Sequence, residues 1–86
     1  MIDLLGASQI LLERFGSILE APYVPGKTLF RSELCARAAL SQGEAEEVCD
    51  SLERAGAIRF QRAQLSGESQ DTWLLEPWRM PEGPGR

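Results

Sequence analysis

Hydrophobic residues near the start of the chain recur with helical spacing and predict an amphipathic helix over Asp3–Glu20. At about 100° per residue, its apolar side chains fall within one broad arc and its charged side chains fall opposite. The arc consists of Leu4, Leu5, Leu11, Leu12, Phe15, Ile18 and Leu19. Asp3 is placed to cap this helix, and Ala21-Pro22 is placed to end it. Ile2 and Ile10 lie outside the arc, so they are expected to be either scattered exposed side chains or a self-association surface.

The middle of the chain predicts two further helices. The proline and glycine content of Pro22–Lys27 indicates a loop, and Thr28–Phe30 is a candidate for a short strand. Ser32 is then the expected cap of a second helix. One face of that helix carries Leu34, Cys35, Ala38 and Ala39. After a break at Leu40–Gly43, the third helix is expected over Glu44–Ala55. Its apolar arc consists of Ala45, Val48, Cys49, Leu52 and Ala55.

After Gly56, which is well placed as a helix C-cap, the hydrophobic period changes from helical to alternating. This change predicts a β-hairpin, with a first strand around Ile58–Phe60 and a second strand over Thr72–Glu76. Ser66–Gln70 joins the two strands and is expected to form a mobile tip. Trp73 alternates with its neighbours in the second strand, so we expect it to lie in or at the edge of the core.

The composition predicts one small globular domain. The chain has 86 residues, of which 43% are hydrophobic and 26% are charged, and these proportions are typical of folded proteins. We expect a single domain over residues 1–80 and a disordered tail over residues 81–86, which are rich in proline and glycine. The start of the chain lacks the basic region of a signal peptide, so a cytoplasmic protein with no membrane contact is expected.

Charge and candidate chemistry restrict the function. The net charge of −4, from 13 acidic and 9 basic residues, argues against strong nonspecific attraction to nucleic acids or anionic membranes. Because the chain has no histidine, it lacks the most common proton shuttle and metal ligand. Cys35 and Cys49 are too few for a disulfide framework and are expected to be buried thiols. With no glycine-rich phosphate loop and no serine–histidine pair, the chain is expected to be no enzyme and to hold no cofactor or metal.

One set of residues carries a family resemblance. It consists of Ser32-Glu33-Leu34, Leu40-Ser41, Val48, Leu52, Glu53, Gly56 and Ile58. Together with the order of the predicted elements, the spacing of these residues resembles the pattern of the winged helix-turn-helix superfamily. Within that superfamily, it resembles the MarR-like bacterial regulators. The resemblance implies a mainly α fold with a small antiparallel β-wing, built from three helices plus a β-hairpin. In DNA-binding members, the helix that matches Glu44–Ala55 enters the major groove.

The charges on that helix favour a different role. Four of its outward residues are acidic: Glu46, Glu47, Asp50 and Glu53. Because lysine and arginine supply most nonspecific affinity for phosphates, this face would repel DNA. It is either an ordinary solvated surface or a docking surface for a protein with a basic surface.

The leading hypothesis is therefore a non-enzymatic protein–protein interaction module that could act in regulation. In it, the acids dock on a basic partner and Trp78 is a candidate anchor. Ile2 and Ile10 are the candidates for homodimer formation. The alternative is a DNA-binding transcriptional regulator that uses Ser41, Gln42, Arg54, Arg59 and Arg62.

Overall fold

The chain folds into three helices and one three-stranded antiparallel sheet. The computed structural model describes residues 2–63 and 70–79. The elements in chain order are α1 (Leu4–Phe15), β1 (Ile18–Glu20), α2 (Tyr23–Ala38), α3 (Gln42–Arg54), β2 (Ile58–Gln61) and β3 (Thr72–Leu75). The strand order in the sheet is β1-β3-β2. This mainly α fold, with a small sheet that includes a C-terminal hairpin, is that of a winged helix, and the predicted fold class is confirmed.

The first helix is shorter than predicted. Asp3 caps it, as expected, by accepting a hydrogen bond from the backbone N–H of Gly6 at 2.7 Å. The helix ends at Gly16, whose φ of +77° is a conformation that glycine adopts without steric cost. The prediction that Ile18 continues the buried helical arc is wrong, because Ile18 begins an edge strand opposite Leu74. Its side chain is 59% exposed.

The second helix begins earlier than predicted. The expected loop at Pro22–Lys27 and the expected strand at Thr28–Phe30 are both wrong, since α2 starts at Tyr23. Pro25 is tolerated because it falls in the first turn, where backbone N–H groups have no partner within the helix. Ser32 consequently lies inside the helix and does not cap it.

The turn between α2 and α3 has a defined start and end. Ala39 closes α2 in the left-handed conformation, with φ of 55°, so it does not share the buried helical face on which it was predicted. Ser41 and Glu44 form a capping box, which starts α3 two residues before the predicted position. Four of the five residues predicted for the buried arc of α3 are buried, and Ala55 is exposed. Gly56 follows the helix with the positive φ expected of a C-cap.

The predicted hairpin is present in the sheet. Strands β2 and β3 pair antiparallel, with Ile58 opposite Leu75 and Phe60 opposite Trp73. Of the expected mobile tip, only Gln70 is among the described residues, and the expected tail at 81–86 lies outside them.

Trp73, on the central strand, lies in the core, which confirms the expectation that it lies in or at the edge of the core. It is fully buried, and the rings of Tyr23, Phe30 and Phe60 each lie with centroids 5.2 Å from its own. Its indole Nε1–H donates a long hydrogen bond of 3.4 Å to the carbonyl oxygen of Pro22. The first turn of α2 is thereby held against the sheet by one side chain.

The two cysteines are both free thiols. Cys49 is fully buried in the core, and burial raises the pKa of its thiol to about 12. Cys35 is only half-buried. The expectation of buried thiols is confirmed for Cys49 alone.

The contact between Gly26 and Trp73 gives a stability prediction. A Cβ at Gly26 would overlap the indole Nε1 and lie 2.6 Å from Cδ1. We therefore expect Gly26→Ala to lower the free energy of unfolding by about 1–3 kcal/mol, as overpacking does in other cores. Urea unfolding followed by circular dichroism measures this change.

Gly43→Ala is the matched control. A Cβ at Gly43 would meet no atom within 4 Å, and alanine favours a helix over glycine by up to about 1 kcal/mol. This variant should be as stable as the natural chain or more so. Equal stability of the Gly26→Ala and Gly43→Ala variants would contradict the conclusion that the Trp73 indole leaves no room for a side chain at Gly26.

Candidate interaction surfaces

The outward face of α3 carries the four predicted partner-binding acids. Glu46 and Glu47 are exposed to solvent. The side chains of Asp50 and Glu53 are 44% and 30% exposed and point toward the start of α2. The structure therefore divides the four acids into two pairs with different surroundings.

Asp50 and Glu53 are bound to Lys27 of α2, in what we term the Lys27 clamp, defined as Tyr23, Lys27, Asp50 and Glu53. The Lys27 Nζ lies 2.6 Å from Asp50 Oδ1 and 3.2 Å from Glu53 Oε1. Its side chain is only 18% exposed. The Tyr23 hydroxyl donates to the Glu53 carboxylate at 3.0 Å. Asp50 and Glu53 thus share one ammonium group within the fold, which offsets part of their negative charge.

The clamp shifts the ionisation of its members. The hydrogen bond from Lys27 lowers the pKa of the Asp50 carboxyl. Burial opposes the charge on Lys27, but hydrogen bonds to Asp50 and Glu53 outweigh it and raise the Lys27 pKa. Burial, followed by the hydrogen bond to Glu53, raises the pKa of the Tyr23 hydroxyl. All three shifts favour the protonation states that exist at neutral pH.

The basic residues around the helix-turn-helix have acidic partners as well. Arg31 lies 3.9 Å from Glu46. Elsewhere, Arg37 is 2.9 Å from Glu13 of α1. Three basic residues of α2, Lys27, Arg31 and Arg37, are therefore within ion-pair distance of acids on other elements.

The residues of the DNA-binding alternative are spread over the fold. Ser41 caps α3, and Gln42 is exposed as the first residue of that helix. Arg54, whose guanidinium donates to Ser51 Oγ at 3.2 Å, is exposed at the other end, about 18 Å away at the rise of an α-helix. The remaining two residues of the alternative are in or after β2. They are Arg59, which lies 3.4 Å from Glu76, and Arg62, which is exposed.

A second surface combines residues that the sequence analysis assigned to different roles. Ile2, Val48 and Trp78 line an open apolar groove of about 510 Å³ between α1, α3 and the segment after β3. We call it the Trp78 groove, and we call the three acids among its lining residues its rim: Asp3, Glu44 and Glu47. The sequence offered no signal for this grouping, because the apolar residues that line the groove come from three distant parts of the chain. Ile10, the other candidate for self-association, is half-buried and packs against the core.

Neither a group of metal ligands nor a helix that could cross a membrane is found among the described residues. Within residues 2–63 and 70–79, no group of three or more acidic or cysteine side chains is arranged to hold a metal ion. None of the helices in this part of the chain has the length and apolar character that crossing a bilayer requires.

Comparison with family models, curated proteins and solved structures finds no significant match to this chain.

The Lys27 clamp predicts a pH-dependent loss of stability in Lys27→Met. Removing the ammonium leaves Asp50 and Glu53 without their cationic partner, and hydrogen bonds to charged groups are worth about 1.5–3 kcal/mol. With the partial exposure of both acids taken into account, we expect a loss of about 1–2 kcal/mol at pH 7. Chemical unfolding at a series of pH values measures this difference.

The sign of the pH effect follows from the lowered pKa of Asp50. Its contribution is present above the unfolded pKa of about 3.9 and is lost as pH falls through the folded value. The difference between the natural chain and Lys27→Met should therefore shrink in acid. Arg54→Met is the control, and a loss as large as that of Lys27→Met would contradict the assignment.

Tyr23 permits a direct spectroscopic test because it is the only tyrosine in the chain. Its raised pKa predicts a phenolate absorbance midpoint above the usual value of about 10. Glu53→Gln should lower the midpoint, since the amide still accepts a hydrogen bond but has no charge. The stability that Tyr23 contributes is present below about pH 10 and is lost as pH rises through its folded pKa. A midpoint that does not respond to Glu53→Gln would contradict the influence of the Glu53 charge on the Tyr23 hydroxyl.

Proposed function

We propose that this chain is a non-enzymatic winged-helix module that binds a partner protein with a basic surface through the acidic side of α3. The proposal keeps the fold of a DNA-binding domain and assigns its exposed helix to protein recognition. Folds host many functions, so the assignment depends on the chemistry of this helix and not on its architecture.

The observation that carries the proposal is the ion pairing of the bases nearest α3. In a DNA-binding domain, Lys27 and Arg31 would be candidates to neutralise phosphates and release counterions. Here their charged groups are within ion-pair distance of Asp50, Glu53 and Glu46. A phosphate backbone approaching α3 would have to compete with carboxylates that are already in place.

The acids of α3 contribute unequally to the proposed docking. Asp50 and Glu53 belong to the Lys27 clamp, so a partner gains little by approaching them. Glu47 is exposed and has no ion-pair partner among the described residues. Glu46 is exposed, and its distance of 3.9 Å from Arg31 makes a weak surface pair. Recognition of a basic partner is therefore assigned mainly to the Glu46–Glu47 part of the helix.

Binding to mixed-sequence duplex DNA tests the proposal against the transcription-regulator alternative. Fluorescence anisotropy should detect no binding even at about 20 mM salt, where electrostatic binding to DNA is strongest. Glu20→Lys is a suitable control, because it changes the net charge at an exposed site outside α3. It should also leave DNA binding undetectable.

Tight, salt-dependent DNA binding is the result that would contradict the proposal. Submicromolar DNA binding that weakens steeply with salt, and that is lost in Arg59→Ala plus Arg62→Ala, would overturn the interaction-module proposal. In that case the winged helix acts as a DNA-binding domain, and the acids of α3 serve stability alone.

A further inference from the structure

The Trp78 groove lies on a different side of α3 from the Lys27 clamp. Val48 and Glu47 contribute to the groove, whereas Asp50 and Glu53 contribute to the clamp. The groove places apolar side chains next to carboxylates, and this combination distinguishes it from the clamp, whose carboxylates contact Lys27.

Hydrogen bonds hold the walls of the groove in place. The backbone N–H of Trp78 donates to Ser8 Oγ at 2.9 Å, and that hydroxyl donates to the carbonyl oxygen of Leu5 at 2.8 Å. Ser8 is only 2% exposed. Just before Trp78, the N–H of Glu76 donates to the carbonyl oxygen of Ala57 at 2.9 Å. Because the backbone on this side is anchored to both α1 and the α3–β2 connection, the groove is formed before any ligand arrives.

The rim of the groove carries three carboxylates that form no ion pair with a side chain of the described residues. Within residues 2–63 and 70–79, Asp3, Glu44 and Glu47 have no ion-pair partner. Asp3 and Glu44 accept hydrogen bonds at the starts of α1 and α3, which fixes their positions and leaves their negative charge. Arg79 follows Trp78 in the chain but does not line the groove.

We propose that the Trp78 groove binds a basic amphipathic segment of a partner protein, with one large aliphatic side chain between Ile2, Val48 and Trp78. Lysine or arginine residues beside that side chain then meet the carboxylates at the rim. This inference rests on the proposed function and specifies the binding site and the chemistry of the partner. An apolar anchor in a pocket with charged residues at the rim is a common arrangement in protein recognition.

Charge also decides between a partner and a second copy of this chain. A twofold dimer through the groove would place the same patch of each protomer against the other. The rim acids Asp3, Glu44 and Glu47 of both protomers would then lie in one interface, and like charges at close range repel. A basic segment matches the rim, whereas a second copy of this chain opposes it.

Selection from a random peptide library displayed on phage, panned against the intact chain, tests the inference. The expected consensus has one leucine, isoleucine or methionine flanked by lysine or arginine. A synthetic peptide with this consensus should bind at least about tenfold more weakly to Trp78→Ala, as expected for a truncated anchor. This variant keeps the backbone N–H that bonds to Ser8, and dispersed NMR spectra verify that it is folded.

Glu47→Lys supplies an independent test at an exposed residue that makes no ion pair within the described part of the chain. It should also weaken binding at least about tenfold. Val24→Ala and Glu20→Lys are the matched controls for a lost apolar side chain and a reversed charge, and both should leave affinity unchanged.

The outcomes separate the two proposals. Failure to enrich a consensus, a consensus without the aliphatic residue, or binding that survives both groove variants would overturn the groove inference. Selection of purely basic peptides whose binding is lost only in Glu46→Lys would overturn the groove inference. That result would support docking through the acidic side of α3. DNA binding in the salt series would overturn the proposed function itself.

Discussion

The packing of Trp73 against the first turn of α2 is the constraint on which the rest of the structure depends. A fully buried indole on the central strand leaves no room for a side chain at Gly26, so helix and sheet approach closely. Tyr23 belongs to both regions, since its ring stacks on Trp73 and its hydroxyl donates to Glu53. The contact between Trp73 and the first turn of α2 therefore positions the core. It also positions Lys27, which lies one helical turn after Tyr23, relative to the acids of α3.

That arrangement explains how the winged-helix fold coexists with an acidic helix. Towards the C-terminal end of α3, Asp50 and Glu53 neutralise a lysine that would otherwise be nearly buried without a partner. Towards the N-terminal end, Glu44 completes a capping box and Glu47 is left exposed. One helix thus has acids that stabilise the fold and acids that remain available to a partner. The net charge of the chain does not distinguish between these two groups, but their contacts do.

The sequence predicted the elements in which hydrophobic residues recur at a regular spacing. The hairpin and the buried face of α3 follow from alternation and helical spacing, and four of the five arc residues of α3 are buried. The error at Ile18 arose because an apolar residue beyond Gly16 suits an edge strand as well as a helix. The error at α2 arose because Pro25 and Gly26 resemble a loop until the position of Trp73 is known. The pairing of Lys27 with Asp50, 23 residues apart, carries no local signal at all.

The hydrogen bond from Trp78 to Ser8 spans 70 residues of the chain. A contact of this separation closes a very large loop, and its entropic cost is met only when the intervening elements are in place. The Trp78 groove is consequently a property of the complete fold, with no counterpart in any isolated segment. Occupancy of such a site and global unfolding are thermodynamically linked, so a ligand held there would raise the melting temperature of every element, including those it never touches.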